Sequence, residues 1–262
     1  MDLKKEIQAL IKGEVANDEE TLKRYSRDAS LFEVKPQLVV FPKDKEDLKH
    51  LVLFAQKHNI SLTCRGGGSD MSGGPLGGGI VLDMTRYFNK ITEISRQADP
   101  EPLGPELVAE GLVEGYAITQ PGVWYRDFEK EVAKRNLLLP CFPASKEICT
   151  LGGMVGNNAG GEKTLQYGKT EDYVEQLKVV FADGNEYVVK PLPKQELEQK
   201  IAQNNFEGEI YSNLWKLIIT DRGLIENAKP KVSKNSAGYF LWDVWDRKVF
   251  DLNKLVIGSQ GT

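Results

Sequence analysis

The residues of this chain that could do chemistry lie mainly in two glycine-rich stretches, and the first runs from Arg65 to Gly74. Glycine adopts positive φ and lets another group approach the backbone closely. Successive glycines therefore expose several N–H groups in a concave loop, which suits an anionic ligand such as a phosphate. A flexible turn between two strands is the simpler interpretation of a glycine run. Because Arg65, Ser69 and Ser72 add one cation and two hydroxyls, we favour an anion-binding loop.

The second stretch runs from Thr150 to Gly161 and consists mainly of small residues. One interpretation is a close-packed helix or turn whose glycines let two backbones touch. The end of the stretch approaches the P-loop pattern G-x-x-x-x-G-K-[ST], but its spacing fails because Gly161 and Glu162 intervene before the lysine. Neither stretch contains the G-x-G-x-x-G pattern of nicotinamide-binding Rossmann domains. Two separate loops rich in backbone donors would instead suit a large ligand with a diphosphate and a polar ring system.

Histidine and cysteine offer little further chemistry. The two histidines, His50 and His58, belong to a predicted amphipathic helix, where we expect surface or capping roles. The three cysteines show neither C-x-x-C spacing nor an even count, so the sequence predicts neither a zinc site nor a disulfide framework. We therefore expect no metal and no histidine-based catalytic triad.

A predicted β-α-β unit positions the first loop. Strands over Leu38–Phe41 and Ser61–Arg65 flank a helix over Lys45–Lys57, with Asp44 as its N-cap. The first glycine loop then lies at the carboxyl end of a strand, where ligands commonly bind in α/β sheets.

The rest of the chain predicts a more antiparallel arrangement. Asp183-Gly184 between two apolar runs is a strong hairpin signal. The further predicted strands are Ile80–Asp83, Lys90–Ile94, Glu106–Glu110, Tyr116–Gly122 (running into a turn), Gln176–Phe181, Glu186–Val189 and Leu255–Ile257. The further predicted helices are Trp124–Asn136, Lys194–Asn204 and Gly208–Ile219, after a charged N-terminal segment with helical spacing. The fold class is therefore α+β.

Composition narrows the partners of the chain. Its 262 residues are 40% hydrophobic and 27% charged, as in a soluble globular protein large enough for a sizeable core. A formal net charge of -4 gives no general attraction to nucleic acid or acidic membranes. No stretch has the length of a transmembrane helix, and the N-terminus lacks the apolar core of a secretory signal. We expect a cytoplasmic protein, either free or peripheral to a membrane.

Several motifs, taken together, resemble the FAD-binding PCMH-type oxidoreductases, which have the vanillyl-alcohol oxidase fold. The likeness is greatest to the branch of the glycolate oxidase subunit and D-lactate dehydrogenase. It covers residues 36–190, returns at 229–262, and rests on the order and spacing of the motifs. These motifs are Val40–Lys43, Arg65–Gly74, Gln120–Val123, Leu151–Gly161, Tyr167-Gly168 and Gly258–Thr262.

The resemblance implies a domain organisation. FAD would lie between two α+β subdomains, the first with a small β-α-β-containing sheet and the second with a larger, mostly antiparallel sheet. An N-terminal helical segment would cover residues 1–34, and the PCMH-type domain would cover 35–262. Within that domain, the expected parts are a subdomain at 35–95, a subdomain at 105–190 plus 250–262, and an insertion at 191–249.

The resemblance also implies non-covalent FAD and assigns its contacts. The first loop would hold the diphosphate, the second would line the ribityl, adenosine and isoalloxazine parts, and the remaining motifs would flank or close the flavin. The implied FAD-binding residues are Arg65, Gly66, Gly67, Gly68, Ser69, Asp70, Ser72, Pro121, Gly122, Ser145, Leu151, Gly152, Gly153, Asn157, Asn158, Gly161, Tyr167, Gly168, Ile257 and Gly258.

The implied activity is dehydrogenation of a lactate-like or glycolate-like 2-hydroxy acid by hydride transfer to flavin N5. Lys231 and Lys234 match a cationic motif near flavin and substrate, and they are candidate anchors for the substrate carboxylate. A solvated basic loop is an equally compatible interpretation. Lys231 stands where the family usually has arginine, so recognition would be less directional. The motifs identify neither the general base nor the electron acceptor, and a UDP-sugar reductase or an aromatic alcohol oxidase is a more distant alternative.

The C-terminal motif departs from the family pattern in two ways. Gln260 replaces the glutamate of Gly-Ser-Glu-Gly-Thr, and relatives continue beyond this motif into a substrate-binding cap domain. We therefore expect either a fragment of a longer protein or a second polypeptide that supplies the cap. The alternative function is a non-catalytic flavin-binding or electron-transfer subunit.

Ser69 leads to a first prediction, because some relatives attach the flavin covalently through a histidine at this position. Without that histidine, acid precipitation of the flavin-loaded protein should release the flavin into the supernatant, where its absorbance is measured. Flavin that stays on the denatured polypeptide would contradict non-covalent binding.

Overall fold

The computed structural model describes residues 2–96, 115–232, 235 and 238–260. The first half of the chain builds a four-stranded sheet of order β1-β2-β4-β3. Strands β2, β4 and β3 are parallel, and β1 pairs with β2 in the antiparallel direction at the edge. The four strands are β1 Glu14–Ala16, β2 Leu38–Phe41, β3 Leu62–Arg65 and β4 Ile80–Asp83.

Helices cover both faces of this sheet. They are α1 Leu3–Leu10, α2 Glu19–Tyr25 and α3 Lys45–His58. All residues of β2 and β4 are buried, as their continuous apolar runs require in a parallel sheet covered on both sides. On one face Val40 and Leu82 pack with Leu51 of α3, and on the other Val39 and Val81 pack with α2.

The predicted β-α-β unit is confirmed as β2-α3-β3, although β4 lies between its two strands. The Asp44 side chain caps α3 by accepting hydrogen bonds from the N–H groups of Glu46 and Asp47, and the helix ends at Asn59, whose φ is 52°. Of the two histidines, His50 is exposed, and the ring centre of His58 lies 4.3 Å from that of Phe54. The buried face includes Phe54 instead of the expected Val52, which is half-buried.

The second half contains three antiparallel strand pairs. The pairs are β5 Ile91–Arg96 with β6 Gly115–Thr119, β7 Leu177–Val180 with β8 Glu186–Val189, and β9 Leu192–Pro193 with β10 Val249–Phe250. The β7–β8 pair is the hairpin predicted from Asp183-Gly184, and Gly184 has a φ of 75°. The α+β class is therefore confirmed.

The helices of this half explain why its strands form separate pairs and not the one larger sheet expected. Strands β5 and β6 pack in one core with α4 and α5, whereas β8, β9 and β10 pack in another with α7 and α8. The predicted strand Glu106–Glu110 lies outside the described residues. The helices are α4 Tyr125–Ala133, α5 Leu151–Gly156, α6 Thr164–Tyr167, α7 Lys194–Ile201, α8 Phe206–Thr220, α9 Arg222–Ala228 and α10 Asn253–Val256, with 3-10 turns at Thr170–Asp172 and Leu241–Asp243.

The strand predicted over Leu255–Ile257 is wrong, because this segment belongs to α10. A short apolar run does not distinguish a strand from a buried helical turn by periodicity. Here the Asp251 side chain accepts a hydrogen bond from the N–H of Asn253 at 3.0 Å and starts the turn. Ile257 is the C-cap residue, and its N–H donates to the Asn253 carbonyl.

The N-terminal segment is part of the first sheet. Besides the expected helices α1 and α2, it contributes β1, which pairs with β2. Across the described ranges, no helix is long and apolar enough to span a membrane, and no group of three or more histidine, cysteine or acidic side chains could hold a metal ion. The cysteines are free thiols, as expected, and two of them are buried.

Asp47 ties the N-terminal segment to the sheet, and its removal gives a stability prediction. This residue is 1% exposed, and its carboxylate accepts hydrogen bonds from the N–H groups of Lys12, Gly13 and Lys43 at 2.8–2.9 Å. Asp47→Ala leaves these donors without their partner, so the free energy of unfolding should fall by about 3 kcal/mol in chemical denaturation. Gln56→Ala, on the exposed side of the same helix, should change it by less than about 0.5 kcal/mol. Equal effects of the two substitutions would contradict this role of Asp47.

Candidate functional site

The two glycine-rich loops come into direct contact. A Cβ on Gly66 would lie 2.1 Å from Thr150 Oγ1, and one on Gly67 would lie 2.0 Å from the Ile148 carbonyl oxygen. Both distances are far shorter than any real contact of a Cβ atom. Only glycine therefore permits this approach, which joins the carboxyl end of β3 to the start of α5.

The turn at Pro121 and Gly122 forms a third part of the same region. The N–H of Gly152 in α5 donates to the Pro121 carbonyl at 2.8 Å, and the N–H of Leu151 donates to the Val123 carbonyl at 2.9 Å. A Cβ on Gly122 would lie 2.1 Å from the Met84 carbonyl oxygen just after β4. The strand ends, the turn and the second loop thus converge, as the sequence predicted.

The C-terminal motif closes this arrangement from the other side. The N–H of Gly258 donates to the Val155 carbonyl at 2.9 Å, and the N–H of Gln260 donates to the Gly156 carbonyl at 2.8 Å. The Gln260 carbonyl oxygen would lie 2.9 Å from a Cβ on Gly74 in the first loop. The motif therefore packs against both glycine-rich loops.

Asp70 links the two loops through hydrogen bonds. Its carboxylate accepts from the Gly74 N–H at 2.7 Å, from Ser72 Oγ at 2.9 Å and from Asn157 Nδ2 at 2.7 Å. Burial opposes ionisation, but the hydrogen bonds from Gly74, Ser72 and Asn157 outweigh it and lower the pKa of Asp70 below its ordinary value. Asp70 is therefore an anion at neutral pH.

Arg65 supports the first loop from behind. Its guanidinium donates to the carbonyl of Arg27 at 2.7 Å and to that of Tyr25 at 3.4 Å, and it lies 5.1 Å from the centre of the Tyr25 ring. Gly68 has a φ of 68°, and a Cβ there would lie 2.4 Å from Arg65 Nη2. The side chain thus ties the loop to the end of α2, and its role toward an anionic ligand stays a prediction.

Several predicted residues of the second loop support its backbone. Asn158 has a φ of 45°, is 2% exposed, and accepts a hydrogen bond from the Glu171 N–H through Oδ1 at 3.1 Å. A Cβ on Gly161 would lie 2.2 Å from the Phe142 carbonyl oxygen. Gly168 has a φ of 75°, where any side chain would be strained.

The remaining predicted residues lie around these two loops. Ser145 begins the turn that leads into α5, since its carbonyl accepts from the N–H groups of Ile148 and Cys149 at 2.9 Å. The Tyr167 carbonyl accepts from the Tyr173 hydroxyl at 2.6 Å. Ser69 is half-buried within the first loop.

One face of α5 borders open space. A Cβ on Gly156 would have no neighbour within 4 Å, and one on Gly153 would meet only Thr150 Oγ1, at 3.2 Å. Packing within the chain therefore does not require glycine at position 156. Open space next to two loops rich in N–H donors is the arrangement that a large ligand with a diphosphate needs.

The sequence analysis missed a charged pair beside the second loop. Lys169 Nζ lies 2.7 Å from Glu171 Oε1, and the two side chains are only 12% and 11% exposed. The same ammonium donates to the Asn235 carbonyl at 2.7 Å and lies 4.6 Å from the centre of the Phe240 ring. The pair thus connects the second loop to the segment that contains Asn235. The available signal was its position directly after the Tyr167-Gly168 motif.

The two candidate substrate anchors stay predictions. Lys231 is exposed, and Lys234 lies outside the described residues. The last two residues of the C-terminal motif, Gly261 and Thr262, also lie outside the described residues.

The chain is similar to three curated 2-hydroxy acid enzymes but spans less than a third of the length of each. It is 31% identical to D-2-hydroxyglutarate dehydrogenase from Escherichia coli over 242 residues, which cover 90% of the chain and 22% of that protein. It is 34% identical to the glycolate oxidase subunit GlcD from Bacillus subtilis over 164 residues, covering 62% and 31%. It is 34% identical to D-lactate dehydrogenase from Archaeoglobus fulgidus over 149 residues, covering 56% and 29%.

Solved structures support the same fold. Alkyldihydroxyacetonephosphate synthase superposes with a TM-score of 0.57 at 23% identity, covering 79% of this chain and 36% of that chain. The 6-hydroxy-D-nicotine oxidase from Arthrobacter nicotinovorans superposes with a TM-score of 0.53 at 24% identity, covering 69% and 36%. At these identities the likeness shows the fold alone, which is the PCMH-type fold expected.

A family match decides the cofactor. Residues 36–190, more than half of the chain, match the FAD binding domain family. This range contains both glycine-rich loops, the Pro121-Gly122 turn and the Tyr167-Gly168 motif. FAD is therefore the cofactor, and the chain belongs to the FAD binding domain family.

Proposed function

We propose that this chain is the FAD-binding part of a flavin-dependent dehydrogenase that oxidises a 2-hydroxy acid. The observation that carries the proposal is the similarity to D-2-hydroxyglutarate dehydrogenase over 90% of the chain. The names of the other two relatives, a glycolate oxidase subunit and a D-lactate dehydrogenase, also specify 2-hydroxy acids.

FAD would lie between the glycine-rich loops along the open face of α5. The N–H groups of Gly66–Ser69 and the hydroxyls of Ser69 and Ser72 would hold the diphosphate without a covalent bond. The open space beside Gly156 supports this placement, because it leaves room next to the second loop. When bound, FAD supplies an acceptor for two electrons. The other residues named above as implied FAD contacts belong to this proposal, and Asp70 receives a different role below.

The substrate side of the site involves the segment after α9. The carboxylate of a 2-hydroxy acid needs a cationic partner, and Lys231 and Lys234 are the proposed anchors. The hydrogen bond from Lys169 to the Asn235 carbonyl supports this assignment, because it holds the neighbouring backbone against the second loop. A second polypeptide that completes the substrate site is part of the proposal, since the chain spans only 22% of the hydroxyglutarate enzyme.

Gly156 and Gly223 provide a matched test of the FAD site, because a Cβ on either would have no neighbour within 4 Å. A leucine at position 156 would fill the space proposed for FAD, so Gly156→Leu should weaken FAD binding by about tenfold or more, a change of about 1.4 kcal/mol. Gly223→Leu in α9 should leave FAD affinity unchanged. Fluorescence titration measures the affinity, and thermal denaturation of the FAD-free proteins should show that both variants fold. Equal FAD affinities would contradict the placement along α5.

The proposed activity is tested by dye reduction with D-2-hydroxyglutarate, D-lactate or glycolate. The FAD-loaded chain, alone or combined with the protein encoded next to it, should reduce the dye with at least one of these acids. The matching acids without the 2-hydroxyl group, such as glutarate and propionate, should give no reduction. FAD binding without dye reduction in either preparation would leave the chain as a flavin-binding module and contradict the dehydrogenase.

A further inference from the structure

Asp70 engages hydrogen-bond donors that the proposed function assigns to FAD. Ser72 Oγ donates to it at 2.9 Å and Asn157 Nδ2 at 2.7 Å, and both residues are proposed FAD contacts. The Gly74 N–H, in the same loop, donates at 2.7 Å. These donors converge on a carboxylate in the way that they would converge on a phosphate oxygen.

The charge of Asp70 makes this arrangement unsuited to a direct FAD contact. The Asp70 carboxyl is ionised at neutral pH, because hydrogen bonds from Gly74, Ser72 and Asn157 outweigh the effect of burial on its pKa. Its partners are a hydroxyl and two amides, all of them neutral. The loop cation, Arg65, is directed to the carbonyls of Tyr25 and Arg27. A diphosphate beside Asp70 would therefore meet a second anion that no adjacent cation neutralises.

We propose that Asp70 is an internal anion that stands in for the FAD diphosphate in the FAD-free chain, and that FAD binding displaces its carboxylate from Ser72 and Asn157. This inference rests on the proposed function, since it requires FAD at these loops. It changes the role of Asp70 from the FAD contact expected from the sequence to a group that competes with FAD for the same donors.

The proposal predicts two effects of opposite direction when Asp70 is replaced. The FAD-free chain loses the link between its two loops, so its melting temperature falls. FAD no longer competes with an internal anion, so its affinity rises. A residue with a purely structural role would lower both quantities, and a direct FAD contact would lower the affinity. The sign of the affinity change therefore separates the three roles.

The experiment compares Asp70→Asn and Asp70→Ala with the unmodified chain. Asp70→Asn removes the charge at nearly constant size, so it keeps the test valid if the alanine variant does not fold. Asp221→Asn, which removes an exposed charge at the junction of α8 and α9, controls for the change in net charge. FAD affinity is measured by fluorescence titration, and the melting temperature is measured without FAD.

We expect both Asp70 variants to bind FAD about tenfold more tightly, or about 1.4 kcal/mol, and Asp221→Asn to bind as the unmodified chain does. Inorganic pyrophosphate should raise the melting temperature of the Asp70 variants more than that of the unmodified chain. FAD binding that is unchanged or weaker in both Asp70 variants would overturn the inference and leave the proposed function intact. FAD binding by none of the four proteins would overturn both.

Discussion

The close approach of backbones at glycine is the constraint on which the rest of the structure depends. A Cβ on Gly67 or Gly122 would overlap a carbonyl oxygen of another segment, and one on Gly152 would lie 2.5 Å from the Pro121 Cβ. A change of rotamer cannot relieve an overlap with the main chain. The first loop, the turn after β6 and the start of α5 can therefore meet only where each contributes a glycine. Their meeting brings the N–H groups of two distant loops into one region, which a cofactor with a diphosphate requires.

Partly buried charges then hold these segments in place. Asp47 joins residues 12–13 to α3, Asp70 joins the two loops, and the Lys169–Glu171 pair joins the second loop to the Asn235 backbone. Burying a charge is unfavourable unless hydrogen bonds or an opposite charge compensate for it. In each case the compensation comes from a segment distant in sequence. The same contacts that satisfy the charge therefore define the position of the segment.

This arrangement accounts for a site that is ordered before the cofactor binds. The family match shows a domain that binds FAD, and the open face of α5 is consistent with a ligand beside the second loop. The Asp70 carboxylate would keep the two loops together until a diphosphate takes its donors. The substrate side is built differently, because the exposed Lys231 contrasts with the nearly buried Lys169 behind it. Cofactor binding and substrate binding thus rest on separate parts of the chain.

Local signals were sufficient for the elements and for the composition of the site. Asp44 and the periodicity after it predict α3, Asp183-Gly184 predicts the β7–β8 hairpin, and the glycine clusters predict the loops, because turns and caps depend on neighbouring residues. The short run at 255–257 was ambiguous, and the hydrogen bond from the Asn253 N–H to Asp251 decided for a helix. Only the tertiary structure directs Arg65 to carbonyls of α2 and its following turn, inserts β4 between β2 and β3, and pairs Asp70 with Asn157. The physical reason is that these contacts join residues far apart in the chain, and no local pattern specifies which distant partner a side chain will meet.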